Sequence, residues 1–159
     1  YYDIENNFIL ETEHGPMGGD EINIIYNNSF DKDSIPNYGW PIVSAGEHYG
    51  GKIEDNKLKY EKYPLFKSHE EYGFIEPLKS FVPSIGISEI TKINDYYYVV
   101  SSLKDKSLYF FELDYEDNLA NLFRLEVFER VRDMIYKNNY LYLFLEDTAS
   151  LAIIDVSSL

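Results

Sequence analysis

A pattern of short apolar strands that repeats about every 44 residues constrains this chain more than any other feature. An Asn-led turn followed by an aromatic strand begins at Asn94 and again at Asn138, 44 residues later. A further strand follows each time, starting at Ser107 and at Ser150, 43 residues apart. The turn ahead of Phe8 has the same pattern. Several short strands at this period are typical of β-propeller blades, although an antiparallel meander or sandwich also produces them.

The repeat outlines one complete blade and most of a second. Strands are predicted over residues 85–93, 96–103, 107–114 and 122–129, and then over 131–137, 140–146 and 150–156. The fourth strand of the later blade is missing from the pattern, and in a closed propeller the other end of the chain could supply it. The predicted fold is all-β, a partial propeller of about three four-stranded antiparallel blades within one domain spanning residues 1–159.

Residues 30–80 interrupt the repeat. They are predicted to form a long insertion between strands, with Tyr38 and Trp40 held in the core. No helix longer than a turn or two is predicted there, because no apolar period of 3.6 residues persists. His69 lies in a polar stretch and is expected at the surface.

Composition narrows the function classes. Aromatic residues make up 17% of the chain, which suits strands and argues against disorder. The net charge of −14 argues against nucleic acid or an anionic membrane surface as a partner. Because the chain has no cysteine, it has no disulfide framework and no thiolate metal site. No membrane span is predicted, since no apolar run reaches about eighteen residues. The chain opens inside a repeat, so we expect an N-terminal part of the protein to precede it.

Several polar residues lie where strands of the predicted blades begin or end. They are His14, Ser84, Lys104, Arg130 and Arg132. Because adjacent strands are antiparallel, the end of one blade's second strand lies beside the start of its first, so we expect these residues on one rim. Cations gathered there indicate an anionic ligand, and Arg130 and Arg132 point the same way because they alternate with Val131. The alternative is that each arginine pairs with a neighbouring acid, such as Glu129 or Asp133.

The densest motif is Glu-His-Gly-Pro-Met-Gly-Gly-Asp-Glu-Ile-Asn, from Glu13 to Asn23, which continues as Asn-Tyr-Gly-Trp-Pro from Asn37 to Pro41. It predicts a strand, a polar loop and a strand, with an ordinary hairpin as the alternative. The Gly-Gly pair indicates positive φ or a close approach to a ligand. The Asp-Glu pair offers the hard oxygen donors that suit calcium (Ca²⁺), although capping carboxylates of a solvated turn are equally compatible.

These motifs resemble the glucose/sorbosone dehydrogenase family. The resemblance extends from Phe8 to Asp155. Besides the motif above, it is carried by Pro83-Ser84-Ile85, Ser102-Leu103-Lys104 and Arg130-Val131-Arg132-Asp133. It implies the C-terminal part of a six-bladed propeller enzyme that uses pyrroloquinoline quinone (PQQ) and Ca²⁺. The implied reaction is oxidation of an aldose at C1 with hydride transfer to the quinone. The reduced quinone would then pass its electrons to an external electron acceptor. The implied location is the periplasm or the exterior of the cell.

The resemblance also implies roles for individual residues. Contacts to the quinone are implied for His14, Asp20, Tyr49, Ser84, Lys104, Arg130 and Arg132. Gly15 and Pro16 would offer carbonyl oxygens to the Ca²⁺ that binds the quinone, and Glu21 and Tyr38 match a second, structural Ca²⁺ site. The family's catalytic histidine lies upstream, so no catalytic residue is expected in this chain, and the N-terminal half of the propeller is required. The alternatives are a non-catalytic binding propeller of the same superfamily, resembling Hedgehog-interacting proteins, and an unrelated propeller lectin or scaffold.

Overall fold

The computed structural model describes residues 1–27 and 35–159, and their regular secondary structure is almost entirely antiparallel β-sheet. They fall into two compact units. The first unit comprises residues 2–84, and the second comprises residues 85–159 together with Tyr1. In the described part of the chain, no helix is long and apolar enough to cross a membrane.

The first unit contains one four-stranded sheet. Its strands, in spatial order, are β1 (Tyr2–Asp3), β2 (Phe8–Glu13), β3 (Asp20–Tyr26) and β4 (Lys79–Phe81). The central strands β2 and β3 pair from Phe8 opposite Tyr26 to Glu13 opposite Glu21. Alternation along these strands buries Phe8, Leu10 and Ile22. The turn into β2 depends on Asn7. Its φ of 60° is a left-handed conformation that Asn tolerates.

The insertion connects β3 to β4. Its predicted start falls in residues 28–34, which lie outside the described residues. The described part contains helix α1 (Lys57–Lys62) and a 3-10 turn at Glu70–Tyr72, in line with the expectation of short helices only. The predicted end at residue 80 was too late, because residues 79–81 pair with β3 and complete the sheet.

The prediction that Trp40 is held in the core is wrong, since its side chain is 56% exposed. Val43, three residues later, is buried instead, and the turn between them is closed by the carbonyl of Gly39, which accepts the backbone N–H groups of Ile42 and Val43. Tyr38 is half-buried, and its hydroxyl donates a 2.6 Å hydrogen bond to the carbonyl of Ile24 in β3.

The second unit contains two sheets. The first has the order β5 (Ile87–Lys92), β6 (Tyr97–Ser102), β7 (Ser107–Leu113) and β8 (Leu119–Glu126), and the second has the order β9 (Val131–Lys137), β10 (Tyr140–Leu145) and β11 (Ser150–Asp155), with β10 in the middle. Both sheets contribute to one apolar core, formed by Ile93, Val99, Leu108, Phe110, Val131, Met134, Leu141, Leu143 and Val156. As the repeat predicts, the described part of the later sheet contains three strands.

One predicted strand is displaced. Strand β8 begins three residues earlier than predicted, at Leu119 instead of Leu122. The carboxylate of Asp114 accepts the backbone N–H groups of Glu116 and Asn118 at 2.8 and 2.9 Å, which closes the preceding turn early. The strand ends before Phe128, whose φ is 68°.

Candidate functional site

The loop between β2 and β3 is held by its own polar groups and by the end of β4. The carboxylate of Asp20 is buried and accepts the backbone N–H of Gly15 at 3.1 Å. The hydroxyl of Ser84 accepts the N–H of Gly18 at 3.0 Å, and the carbonyl of Phe81 accepts that of Gly19 at 2.8 Å. Asp20 and Ser84, both predicted to contact a cofactor, therefore organise the loop that carries His14, Gly15 and Pro16.

The Gly-Gly pair has the conformation predicted from the sequence. Gly18 and Gly19 have φ values of 91° and 73°. The predicted alternative was a close approach to a ligand, whereas the close approach found there is to backbone of the insertion, because a Cβ on Gly46 would lie 2.2 Å from the carbonyl oxygen of Gly18. Met17 and Glu47 exchange two backbone hydrogen bonds of 2.9 Å beside this contact. The motif loop and the segment around Gly46 therefore form one closely packed unit of backbone.

A polar cleft opens beside this loop. It is lined by Glu13, His14, Gly15, Gly19, Glu21, Trp40, Val43 and Ser44. His14 is exposed, whereas Glu21 is only 5% exposed. The cleft brings together three of the predicted site residues, namely His14, Gly15 and Glu21.

The sheet below the cleft carries a cluster of acidic side chains on one face. Glu13 lies opposite Glu21, and Glu11 lies opposite Asn23, so the four side chains point the same way. Burial, together with the charges of Glu13 and Glu11, raises the pKa of Glu21 to about 7. Burial and the neighbouring Glu11 also raise the pKa of Glu13. The cluster therefore holds three carboxyl groups whose burial and mutual repulsion disfavour the charged forms of Glu13 and Glu21.

Two further groups at the cluster are oxygen donors suited to a hard cation. Burial and the charges of Glu11 and Glu13 raise the pKa of Tyr38 to about 12, so its phenol stays protonated at neutral pH. The buried Oδ1 atom of Asn23 has no hydrogen-bond partner among the described residues. Carboxylate, phenol and amide oxygens are the hard donors that suit Ca²⁺. Across residues 1–27 and 35–159, no three His, Asp or Glu side chains form a complete metal-binding group, so a cation here would also need backbone carbonyls or water.

The expectation that His69 lies at the surface is wrong, because its side chain is 2% exposed. Its Nε2 atom lies 3.7 Å from Glu21, and its Nδ1 atom lies 3.2 Å from Glu76. Glu76 also accepts the backbone N–H groups of His69 and Glu70. The insertion folds back to place this imidazole against β3, and the polar sequence around His69 gave no indication of it.

The second unit brings two of the predicted cations together. The guanidinium of Arg130 lies 3.2 Å from the carboxylate of Glu146, and Arg132 donates a hydrogen bond to the same carboxylate. Their hydrogen bonds lower the pKa of Glu146. The arginines thus point the same way, as predicted. They also have an acidic partner, as the alternative interpretation expected, but that partner is Glu146 and not Glu129 or Asp133.

Lys104 lies at the expected end of its sheet. Its backbone N–H donates to the carbonyl of Ile85 at 3.0 Å, and Gly86 accepts the N–H of Leu103 at 2.7 Å. The end of β6 is therefore beside the start of β5, and the side chain of Lys104 is exposed. The common rim of His14, Lys104 and the two arginines involves both units and stays a prediction. Tyr49 is 69% exposed in the first unit, and its contact with a cofactor is likewise a prediction.

Several residues at these sites were not found from the sequence. They are Glu11, Glu13, His69, Glu76 and Glu146. A usable signal existed for Glu146, because it follows the second strand of its sheet as His14 follows β2. The two glutamates of β2 carried a weaker signal in their spacing of two residues, which places both on one face of a strand.

Comparison with known proteins identifies a matching family model and related sequences. The family model named glucose/sorbosone dehydrogenase matches residues 1–154. An uncharacterised Synechocystis sp. protein, slr1608, is 26% identical over 140 residues, covering 84% of this chain and 30% of that protein. The aldose sugar dehydrogenase YliI of Escherichia coli K12 is 43% identical over 53 residues, covering 33% of this chain and 12% of that protein.

Two solved structures share the fold. The soluble aldose sugar dehydrogenase of Escherichia coli in its apo-form matches with a TM-score of 0.74 and 24% identity, over 98% of this chain and 43% of the other. A glucose dehydrogenase matches with a TM-score of 0.73 and 24% identity, over 96% of this chain and 42% of the other. The chain thus spans less than half the length of these relatives. The predicted fold class, an all-β partial propeller, is confirmed.

Proposed function

The chain belongs to the glucose/sorbosone dehydrogenase family, and from this premise we propose that it forms part of an enzyme that oxidises an aldose at C1 with hydride transfer to PQQ. The observation that carries the proposal is the convergence of Arg130 and Arg132 on one exposed carboxylate. Paired guanidiniums bind carboxylates bidentately, and PQQ is a tricarboxylate. In a chain with a net charge of −14, such a pair is a specific feature and not part of a generally basic surface.

We propose that the site residues implied by the resemblance hold the quinone. In the second unit, Lys104, Arg130 and Arg132 would neutralise its carboxylates. In the first unit, His14 and Tyr49 are exposed and would contact it directly, whereas Asp20 and Ser84 would shape the loop that receives it. When bound, PQQ would accept the hydride and Ca²⁺ would act as a Lewis acid toward it.

The oxygen-rich surroundings of the motif loop support calcium binding. Gly15 and Pro16 would provide backbone carbonyls to one Ca²⁺, and Glu21 with Tyr38 would provide ligands to another. The raised pKa of Glu21 fits this role, because a bound cation would supply the positive charge that the cluster of Glu11, Glu13 and Glu21 lacks. Binding would require Glu21 to lose its proton, so calcium affinity should rise with pH.

The remaining parts of the proposal concern the whole protein. The base that takes the hydroxyl proton would come from an N-terminal half of the propeller. An external acceptor would reoxidise the cofactor, and the periplasm or the cell exterior would be the location. The chain's own residues bind, orient and neutralise charge.

The proposal is tested on the full-length protein with an artificial electron acceptor and a panel of aldoses. We expect turnover only after both PQQ and Ca²⁺ are added. Replacing Arg130 and Arg132 with Ala should raise the Kd for PQQ at least about tenfold, because charge-assisted hydrogen bonds are lost. The matched control is Arg124→Ala. It removes from strand β8 an exposed guanidinium that pairs with Asp105.

The outcomes separate the candidate functions. PQQ binding without turnover of any aldose would favour the non-catalytic binding propeller. Equal PQQ affinity in wild type, the double variant and Arg124→Ala would contradict the role of the arginine pair.

A further inference from the structure

A short stretch of the insertion, His48 and Tyr49, is held by helix α1 and not by a strand. The backbone of Glu47 pairs with Met17 of the motif loop. Beyond Glu47 the chain turns away at Gly50 and Gly51, whose φ values are 107° and 126°. The side chains of Lys59 and Tyr60 and the carbonyl of Tyr63, at the end of α1, contact His48 and Tyr49, and the N–H of Gly51 donates to the carbonyl of His48 at 3.2 Å.

Tyr60 is the central residue of these contacts. It is 7% exposed, and its hydroxyl accepts the backbone N–H of His48 at 3.0 Å while donating to the carboxylate of Glu47. Its ring lies edge-on to the imidazole of His48, with the ring centroids 4.7 Å apart. One buried phenol thus fixes both residues that precede Tyr49.

The neighbours of Tyr60 complete the arrangement. The ammonium of Lys59 donates to the carbonyl of Tyr49, and the ring nitrogen Nε2 of His48 lies 2.6 Å from the carbonyl of Tyr63. On the other side, Lys67 lies 3.3 Å from the carboxylate of Glu47 and donates to the carbonyl of Gly46. The hydrogen bond from Tyr60 lowers the pKa of Glu47, and Lys67 acts in the same direction.

Tyr49 itself is 69% exposed, so packing does not orient its ring. The direction of its Cα–Cβ bond, and with it the set of positions open to the ring, is set by its backbone, which contacts α1 through the N–H of His48 and the carbonyl of Tyr49. We propose that α1 is a latch that orients Tyr49 toward the quinone and that Tyr60 is its positioning residue. This inference rests on the proposed function, in which Tyr49 contacts PQQ.

The test compares Tyr60→Phe with Tyr63→Phe in the full-length protein. Both remove one hydroxyl from the same region, but the hydroxyl of Tyr63 has no hydrogen-bond partner among the described residues, and its side chain is 54% exposed. PQQ is titrated into the apo-protein in the presence of Ca²⁺, and amide hydrogen exchange is followed in residues 46–49. We expect Tyr60→Phe to raise the Kd for PQQ about tenfold and to speed exchange at His48, and Tyr63→Phe to change neither.

A separate readout distinguishes positioning from general loss of structure. At saturating PQQ, the aldose KM and kcat of Tyr60→Phe should return to wild-type values, because Tyr60 touches neither substrate nor cofactor. Lys59→Met, at a half-buried position, provides a second variant that keeps the buried ring of Tyr60 and should raise the Kd by a smaller factor.

Three results would overturn the inference. Equal PQQ affinity of wild type and Tyr60→Phe would refute the latch alone. A turnover defect in Tyr60→Phe that persists at saturating PQQ would assign Tyr60 a general structural role. A wild-type protein that takes up no PQQ would refute the proposed function, and the inference with it.

Discussion

At the scale of single residues, the buried carboxyl of Glu21 links stability to pH. Its pKa is about 7 in the folded protein against an ordinary value of 4.5. Between these values the folded state holds a proton that the unfolded state has lost, so stability falls as pH rises through this window. The loss amounts to at most about 3 kcal/mol. We expect the thermal midpoint of the calcium-free protein to decrease as the pH is raised from 5 to 8. Glu21→Gln should make this midpoint less dependent on pH.

Calcium provides an independent check on the same residue. Since the proposed cation would bind the ionised carboxylate, Ca²⁺ should raise the wild-type midpoint more at pH 8 than at pH 5. Glu21→Gln should reduce this gain. The control is Glu71→Gln, which removes an exposed carboxylate from the 3-10 turn. If Glu21→Gln and Glu71→Gln show the same pH slope as wild type, the buried carboxyl does not govern it.

At the scale of elements, the motif loop and the segment around Gly46 pack backbone against backbone. A Cβ on Gly46 would lie 2.2 Å from the carbonyl oxygen of Gly18, so Gly46→Ala must push the two segments apart. We expect a loss of about 1–3 kcal/mol in the free energy of unfolding, measured by chemical denaturation. PQQ affinity should fall as well, because the same loop carries His14.

Gly73→Ala is the matched control for this prediction. Gly73 has a φ of 78°, but a Cβ at this position would have no atom within 4 Å of it. Alanine there should cost only the backbone strain of about 1 kcal/mol and should leave PQQ affinity unchanged. A smaller effect for Gly46→Ala than for Gly73→Ala would contradict the steric account.

The elements that the sequence predicted best are those whose turns have a local chemical cause. Strands β9, β10 and β11 match their predicted bounds within one residue at each end, because Asn138 and Asn139 adopt left-handed φ values of 53° and 66° between β9 and β10. Strand β8 was shifted because Asp114 closes a turn that the apolar pattern does not reveal. The insertion was recognised, but the burial of His69 depends on contacts with distant residues and has no local signal.

At the scale of the molecule, the later sheet of the second unit presents an uncovered apolar face. Tyr142 lies opposite Ile135 and Ile153, and Phe144 lies opposite Leu151. Four of these five side chains, all but Tyr142, are between 43% and 58% exposed. Exposed apolar faces of this kind and open strand edges favour association. We expect residues 1–159, expressed alone, to self-associate with rising concentration in analytical ultracentrifugation.

Phe144→Lys should reduce this association by placing a charge on the apolar face. Tyr115→Lys is the control, since Tyr115 is 92% exposed in a turn away from that sheet. A sample of residues 1–159 that stays monomeric and melts cooperatively would contradict the prediction. Co-expression with the rest of a full-length propeller should restore a soluble species if that part covers the face.

Much of the candidate site could be anticipated because strand topology fixes where strand ends meet. That rule located His14, Lys104, Arg130 and Arg132 at strand ends. The same rule places Glu146, which follows β10, at a strand end as well. The acidic cluster was beyond such reasoning, because the raised pKa of Glu21 arises from burial beneath the insertion as well as from its neighbours in the sheet.

If the arginine pair binds the cofactor as proposed, the carboxylate of Glu146, which both arginines contact, would compete with it. A simple monoanion, such as acetate, would exchange one carboxylate for another at Arg130 and Arg132 and gain little. A ligand that carries several carboxylates on a rigid ring can engage the pair while its other groups find partners elsewhere, so only that ligand gains from the exchange. Under the proposed function, Glu146 would thus make the arginine pair selective against small monoanions.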